Sequence, residues 1–145
     1  MCCVVAVRAE AGNWIGAGTD LNMATFVDQD SIQKVDEHVS KAIAKSYFNP
    51  PLTRPPEGVG MGKYRIYADC VSMALDEMPL EYYSPSGKKL QSLDEREGPH
   101  RWRPTQPDTV SRFTANVICN QPPPVSPPLF KEGDLDGVAK RLFAR

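Results

Sequence analysis

Hydrophobic and polar positions change their spacing several times along this chain, and each change marks an expected element. Over Asp30–Phe48, Ile32, Val35, Val39, Ala42, Ile43 and Tyr47 recur on a 3.6-residue period, with Lys34, Glu37, His38, Lys41 and Lys45 turned away. Asp30 and Gln33 suit a capping box, Glu37 and Lys41 an i,i+4 ion pair, and Asn49-Pro50-Pro51 a stop. The spacing therefore predicts one main amphipathic helix over 30–48. Residues 2–8 are valine-rich and read as a strand, with a second beginning at Trp14 and Ile15. Tyr64, Ile66 and Ala68 alternate like a strand, but the helix formers before Pro79 favour a helix over Asp69–Met78.

Glu81–Leu90 reads as a hairpin, because Pro85 presets a turn and Gly87 supplies a positive φ. Thr109–Asn120 predicts a strand with Phe113, Ala115, Val117 and Cys119 on one face. A short last helix, capped by Asp134 or Asp136, carries Leu135, Val138, Leu142 and Phe143 on one side. The prolines cluster at 50–56 and 122–128, the second a polyproline II segment, and Gln91–Asp108 is a polar surface loop.

These elements predict an α+β fold: a small sheet, one main amphipathic helix, extended proline-rich arms and a short C-terminal helix. The expected division is 1–48, strands plus helix; 49–62, a Pro/Gly connector; 63–120, helix, hairpin, charged loop and strand, forming one body with 1–48; and 121–145, a proline-rich arm with the C-terminal helix. A chain of 145 residues suits one domain by the prior of roughly 100–200 residues.

Formal net charge of -1 argues against a nucleic-acid partner. No apolar run is long enough to span a membrane, and the N-terminus lacks the regions of a secretory signal. Cys2, Cys3, Cys70 and Cys119 form no CxxC pair and read as reduced thiols in a soluble, intracellular protein, cytoplasmic or organellar. Acylation of Cys2 and Cys3 would supply a peripheral membrane contact.

Candidate chemistry is sparse. Gly58-Val59-Gly60-Met61-Gly62-Lys63 departs from both the Walker and dinucleotide patterns and reads as linker. Neither His38 nor His100 has a partner at metal-ligand spacing, so no metal and no cofactor is expected. Cys2, once Met1 is removed, would suit a nucleophile with its own amine as base, the arrangement of N-terminal-nucleophile hydrolases. Tyr82-Tyr83-Ser84-Pro85-Ser86-Gly87-Lys88-Lys89-Leu90-Gln91-Ser92 resembles the hairpin of methyl-CpG-binding domains, which implies phosphate contacts from Lys88 and Lys89. Pro55-Pro56-Glu57-Gly58 lies where that family has its Pro-Pro-Gly-Trp, but no tryptophan follows, and Asp76, Glu77 and Glu81 replace its basic loop.

Arg101-Trp102-Arg103-Pro104-Thr105-Gln106-Pro107 fits a loose RxxPxxP pattern. Polyproline segments lose little entropy on docking, so Arg101, Trp102, Arg103, Leu129, Phe130, Leu142 and Phe143 are the expected partner-binding residues. The functional expectation is a non-catalytic accessory or scaffold subunit of a larger assembly, organellar/respiratory or cytoskeletal/ciliary, binding other protein subunits. The alternatives are the Cys2 hydrolase and the methyl-CpG-binding-like module.

Overall fold

The computed structural model describes residues 13–20, 22–53, 57–119 and 129–144. The expected strand at 2–8, Cys2, Cys3 and the 122–128 proline cluster lie outside them. Among the described residues the strands are β1 (Trp14–Thr19), β2 (Met23–Asp28), β3 (Gln33–Lys34), β4 (Val39–Leu52), β5 (Val59–Asp69), β6 (Ala74–Tyr83), β7 (Lys89–Ser92) and β8 (Leu129–Phe130). They form one 8-stranded antiparallel sheet in the order β7-β6-β5-β4-β2-β1-β8, with β3 on the other end of β4. Two helices, α1 (Val110–Ile118) and α2 (Leu135–Phe143), cover opposite faces. The expected α+β architecture around one main helix is therefore corrected: the molecule is mostly antiparallel sheet.

The main predicted helix is the point of failure. Residues 30–48 form a 3-10 turn at Gln29–Ser31, β3 and most of β4. Asp36 Oδ1 accepts from the backbone N–H groups of His38 and Val39, both at 2.8 Å, and so makes the turn that reverses the chain into β4. β4 is central, paired with β2 and β5, and is covered on both faces. Ala42 and Ala44 point to α1, while Ile43 and Tyr47 point to α2. A strand apolar on both sides has no clean period of two, so it satisfies a helical template by accident.

The prolines that were to end the helix sit where β4 slips register against β5, between Tyr47 and Leu52, where no ladder donor is needed. The stretch 49–62 thus carries the end of β4 and the start of β5.

The helix expected at 69–78 is also a strand. Asp69 Oδ1 accepts from Val71 N–H at 2.9 Å, Met73 takes φ 62°, and the chain turns into β6. Pairing with β5 from Asp69↔Ala74 to Met61↔Tyr83 overrides the local preference, and Pro79 falls beside a bulge. Conversely, the strand expected at 109–120 is α1. Thr109 Oγ1 accepts from Arg112 N–H at 3.2 Å, and Val110, Thr114, Ala115 and Ile118 are the buried stripe. The β6–β7 hairpin forms around Pro85, with Gly87 at φ 88°, and the last helix forms with Leu135 and Val138 buried.

One core lies between α1 and the sheet, built from Val27, Ala42, Ala44, Ile66, Ala68, Ala115 and Ile118. The other lies beneath α2, from Trp14, Phe26, Leu135 and Ala139. Cys70 and Cys119 form a disulfide with Cα atoms 5.5 Å apart, tying the β5–β6 turn to the end of α1. This corrects the expectation of reduced thiols: a separation of 49 residues hides the pair from any local spacing rule.

Candidate functional site

α2 covers only part of its face of the sheet. Between it and the β6–β7 hairpin, β4 and β5 floor an open groove made of two adjoining cavities of about 330 and 320 Å³. The two share Tyr47, Gly60, Pro85 and Asp136. The first is flanked by Lys45, Lys63, Tyr83 and Glu132, and the second by Phe48, Pro51, Ala139 and Phe143. One half is thus polar and charged, and the other is mostly aromatic rings, prolines and alanine, with Asn49, Asp136 and Lys140 at its edge.

The local sequence explains the shape. The hairpin closes tightly over β5 because residue 60 is glycine: a Cβ there would lie 2.7 Å from Pro85 Cα. β4 alternation sends Lys45 and Tyr47 to the groove face, and the Tyr47 ring stands edge-on to Phe26 at 5.9 Å. Lys45 Nζ lies 2.6 Å from Glu132 Oε1 and 5.1 Å from the centre of the Trp14 ring.

Burial pushes the Tyr47 hydroxyl up to about 12, with the Asp136 and Glu132 carboxylates adding to the rise. Tyr83 is likewise pushed up to about 12, by burial and by its hydrogen bond to Glu81. The same bond is the main reason the Glu81 carboxyl is held below its ordinary value. Both groove tyrosines are neutral donors at physiological pH.

A second cluster sits behind the hairpin strand. Asp76 is buried on β6 and accepts from Arg96 Nη2 at 2.6 Å and pairs with His100 Nδ1 at 2.8 Å. Burial pushes its carboxyl up, but the bonds from Arg96, His100 and the Arg101 backbone outweigh it and hold it below the ordinary range. The His100 ring stacks between Tyr67 and Trp102, at 4.7 and 4.6 Å.

The expected partner-binding residues are therefore dispersed. Trp102 is half-buried in this stack, Arg103 is paired through its backbone with Leu75, and Arg101 is exposed beside them. Phe130 stands edge-on to Phe26 at 5.8 Å, Leu142 packs on the same core, and Leu129 is 55% exposed. Of the seven, Phe143 lines the groove.

Glu132, Asp136, Tyr47 and Met61 escaped the sequence reading because they meet only once α2 lies on the sheet. The hairpin turn at Pro85–Gly87 was the one legible signal. Cys70 and Cys119 are bonded to each other, and no metal-ligating cluster occurs among the described residues. No helix among them is long and apolar enough to cross a membrane.

Residues 14–120 match the sequence family described as Surface-adhesin protein E. Crystal form II of Haemophilus influenzae protein E is 18% identical, with a TM-score of 0.52 over 83% of this chain and 94% of that one. Protein E from non-typeable Haemophilus influenzae is 17% identical, with a TM-score of 0.49 over 83% and 82%. At such identities the likeness is one of fold. No curated protein sequence matches.

The family match corrects the functional expectation. A surface-adhesin family overturns the intracellular accessory or scaffold subunit, its subunit partners and its soluble intracellular location. The physics agrees: the disulfide belongs to an oxidising compartment, and in the supposed arms the segments Asn49–Leu52 and Val59–Gly62 run in the sheet while Arg103 pairs with Leu75.

Proposed function

Because this chain belongs to the Surface-adhesin protein E family, we propose that it is a non-enzymatic binding module displayed outside the cell, which attaches to a host macromolecule through the groove between α2 and the β6–β7 hairpin. The observation that carries this reading is the pair of adjoining cavities sharing Tyr47, Gly60, Pro85 and Asp136. Concave sites with an apolar body and a few fixed polar groups are where proteins take ligands. This one joins Phe143 and Pro51 at one end to Lys63 and Glu132 at the other. The disulfide and the antiparallel sheet suit a module that must survive outside the cytosol.

The test is binding of the purified chain to immobilised extracellular matrix and to intact host epithelial cells. Saturable binding that falls at least tenfold in Asp136→Lys and Phe143→Ala, and is unchanged in Phe113→Ser on the opposite helix, is expected. Absence of binding, or groove variants that bind like the parent, sinks the reading.

A further inference from the structure

We propose that the α1 side of the sheet holds a second binding site, for a free α-amino acid with a medium-sized aliphatic side chain, its carboxylate at Arg103 and its ammonium at Glu77. The site lies across the sheet from the groove and stands apart from the adhesive reading. Two adjoining cavities of about 160 and 130 Å³ share Glu77 and Ser111. Arg103 and Leu75 line the larger one, and Tyr64, Ile66 and Val110 line the smaller.

The backbone places the two charges. Arg103 exchanges main-chain hydrogen bonds with Leu75, at 2.8 and 2.9 Å, on the edge of β6 that β7 leaves open. Directly paired residues share one face of a sheet, and so do residues two apart on a strand. Arg103 and Glu77 are therefore diagonal neighbours on the α1 face, and both line the larger cavity. Among the described residues neither side chain has an ion-pair or hydrogen-bond partner, and neither has the Ser111 hydroxyl. Crowding by the surrounding protein pushes the Glu77 carboxyl up, and the Arg103 guanidinium offsets only part of the rise. By contrast, Lys45–Glu132, Arg65–Glu95 and Arg96–Asp76 are closed at 2.6, 2.9 and 2.6 Å.

Opposite charges left open on one cavity select a zwitterion, because a singly charged guest compensates only one of them. The guanidinium takes a carboxylate in two parallel charge-assisted bonds, the Ser111 hydroxyl can donate a third, and Glu77 accepts from the ammonium. The smaller cavity suits the side chain. Its own polar groups are already bonded: Thr25 and Ser46 to each other at 2.8 Å, and Thr114 to the Val110 carbonyl at 2.8 Å. Cavities of about 150 Å³ accept guests the size of benzene, so 130 Å³ suits a branched aliphatic group.

The experiment is titration of the full, oxidised chain with leucine, N-acetyl-leucine, leucinamide and glycine, read by amide chemical shifts. Leucine should bind saturably, with the largest shifts at the Glu77 and Ser111 amides. N-acetyl-leucine, leucinamide and glycine should each bind at least tenfold more weakly. Glu77→Gln should lose the preference for leucine over N-acetyl-leucine, and Arg103→Gln the preference over leucinamide. Both positions are exposed, so the thermal midpoint should not move, and the four ligands on the parent test the site without any variant.

Equal affinity for leucine and its two blocked forms, shifts confined to the α2 face, or no shift up to the solubility limit of leucine overturns the proposal. Glycine binding as tightly as leucine overturns it too, since the smaller cavity would then hold nothing. So does a direct Glu77–Arg103 ion pair in solution, seen as a Glu77 carboxyl that titrates higher in Arg103→Gln while leucine leaves the parent unchanged.

Discussion

Gly60 on β5 and Pro85 in the β6–β7 turn approach so closely that a Cβ on residue 60 would lie 2.8 Å from the proline nitrogen and 2.7 Å from its Cα. The clash is with backbone, so no rotamer change relieves it. Gly60→Ala is expected to lift the β6–β7 turn away from β5, at a cost of roughly 1–3 kcal/mol by the usual penalty for overpacking. Urea denaturation measures that loss, and ligand binding by the groove should fall with it. An alanine variant as stable as the parent would show that the turn moves freely.

The disulfide closes a long loop, with 49 residues separating Cys70 from Cys119. Constraining the unfolded chain to that extent stabilises by about 2–4 kcal/mol. Cys70→Ala/Cys119→Ala should lose that amount in oxidising buffer and should no longer respond to dithiothreitol. The parent in dithiothreitol should unfold at the variant's midpoint. A midpoint in the parent that ignores reductant would mean the bond does not form.

Asp76 makes stability depend on pH. Its carboxyl is held below its unfolded value of about 3.8, so the unfolded chain takes up the proton first as pH falls. The stabilisation is fully present above the unfolded value and is lost as pH drops through the folded one. Asp76→Ala removes a buried carboxylate but leaves Arg96 and His100 with access to water, so the cost at neutral pH should sit near the low end for a broken buried pair, roughly 3 kcal/mol. The gap between parent and variant should narrow as pH falls from 5 toward ~2. A gap that is constant over this range would exclude the carboxylate as its cause.

Phe113 and Phe130 offer a contrast in the same side chain. Phe113 is 44% exposed on α1, whereas Phe130 packs edge-on against Phe26. Phe113→Ser should change stability by no more than about 0.5 kcal/mol. Phe130→Ala, which leaves a gap under α2, should cost about 2 kcal/mol, below the 3–5 of a fully buried ring. Thermal denaturation of the two variants side by side settles the order.

Local chemistry was readable wherever a few neighbouring residues decide the outcome. Pro85 and Gly87 specify their turn because φ constraints act within four residues, and α2 carries its apolar stripe and cation-rich end in nine. The sequence alone also showed a nearly neutral chain lacking any metal or phosphate motif.

Tertiary structure decided the rest, because those outcomes depend on residues far apart in the chain. Val39–Leu52 is a strand because β2 and β5 pair with its two edges and the helices cover its two faces, and this sandwiching erases the alternation that would have announced it. Val110–Ile118 is a helix because Thr109 caps it and its stripe lands on Val27 and Ile66, although valine, threonine and isoleucine favour strands. Cys70 finds Cys119, and Tyr47 meets Asp136, only after the sheet has formed. The groove exists because the β6–β7 hairpin and α2, far apart in the chain, stop short of each other over that sheet, and no local pattern encodes a distance of that kind.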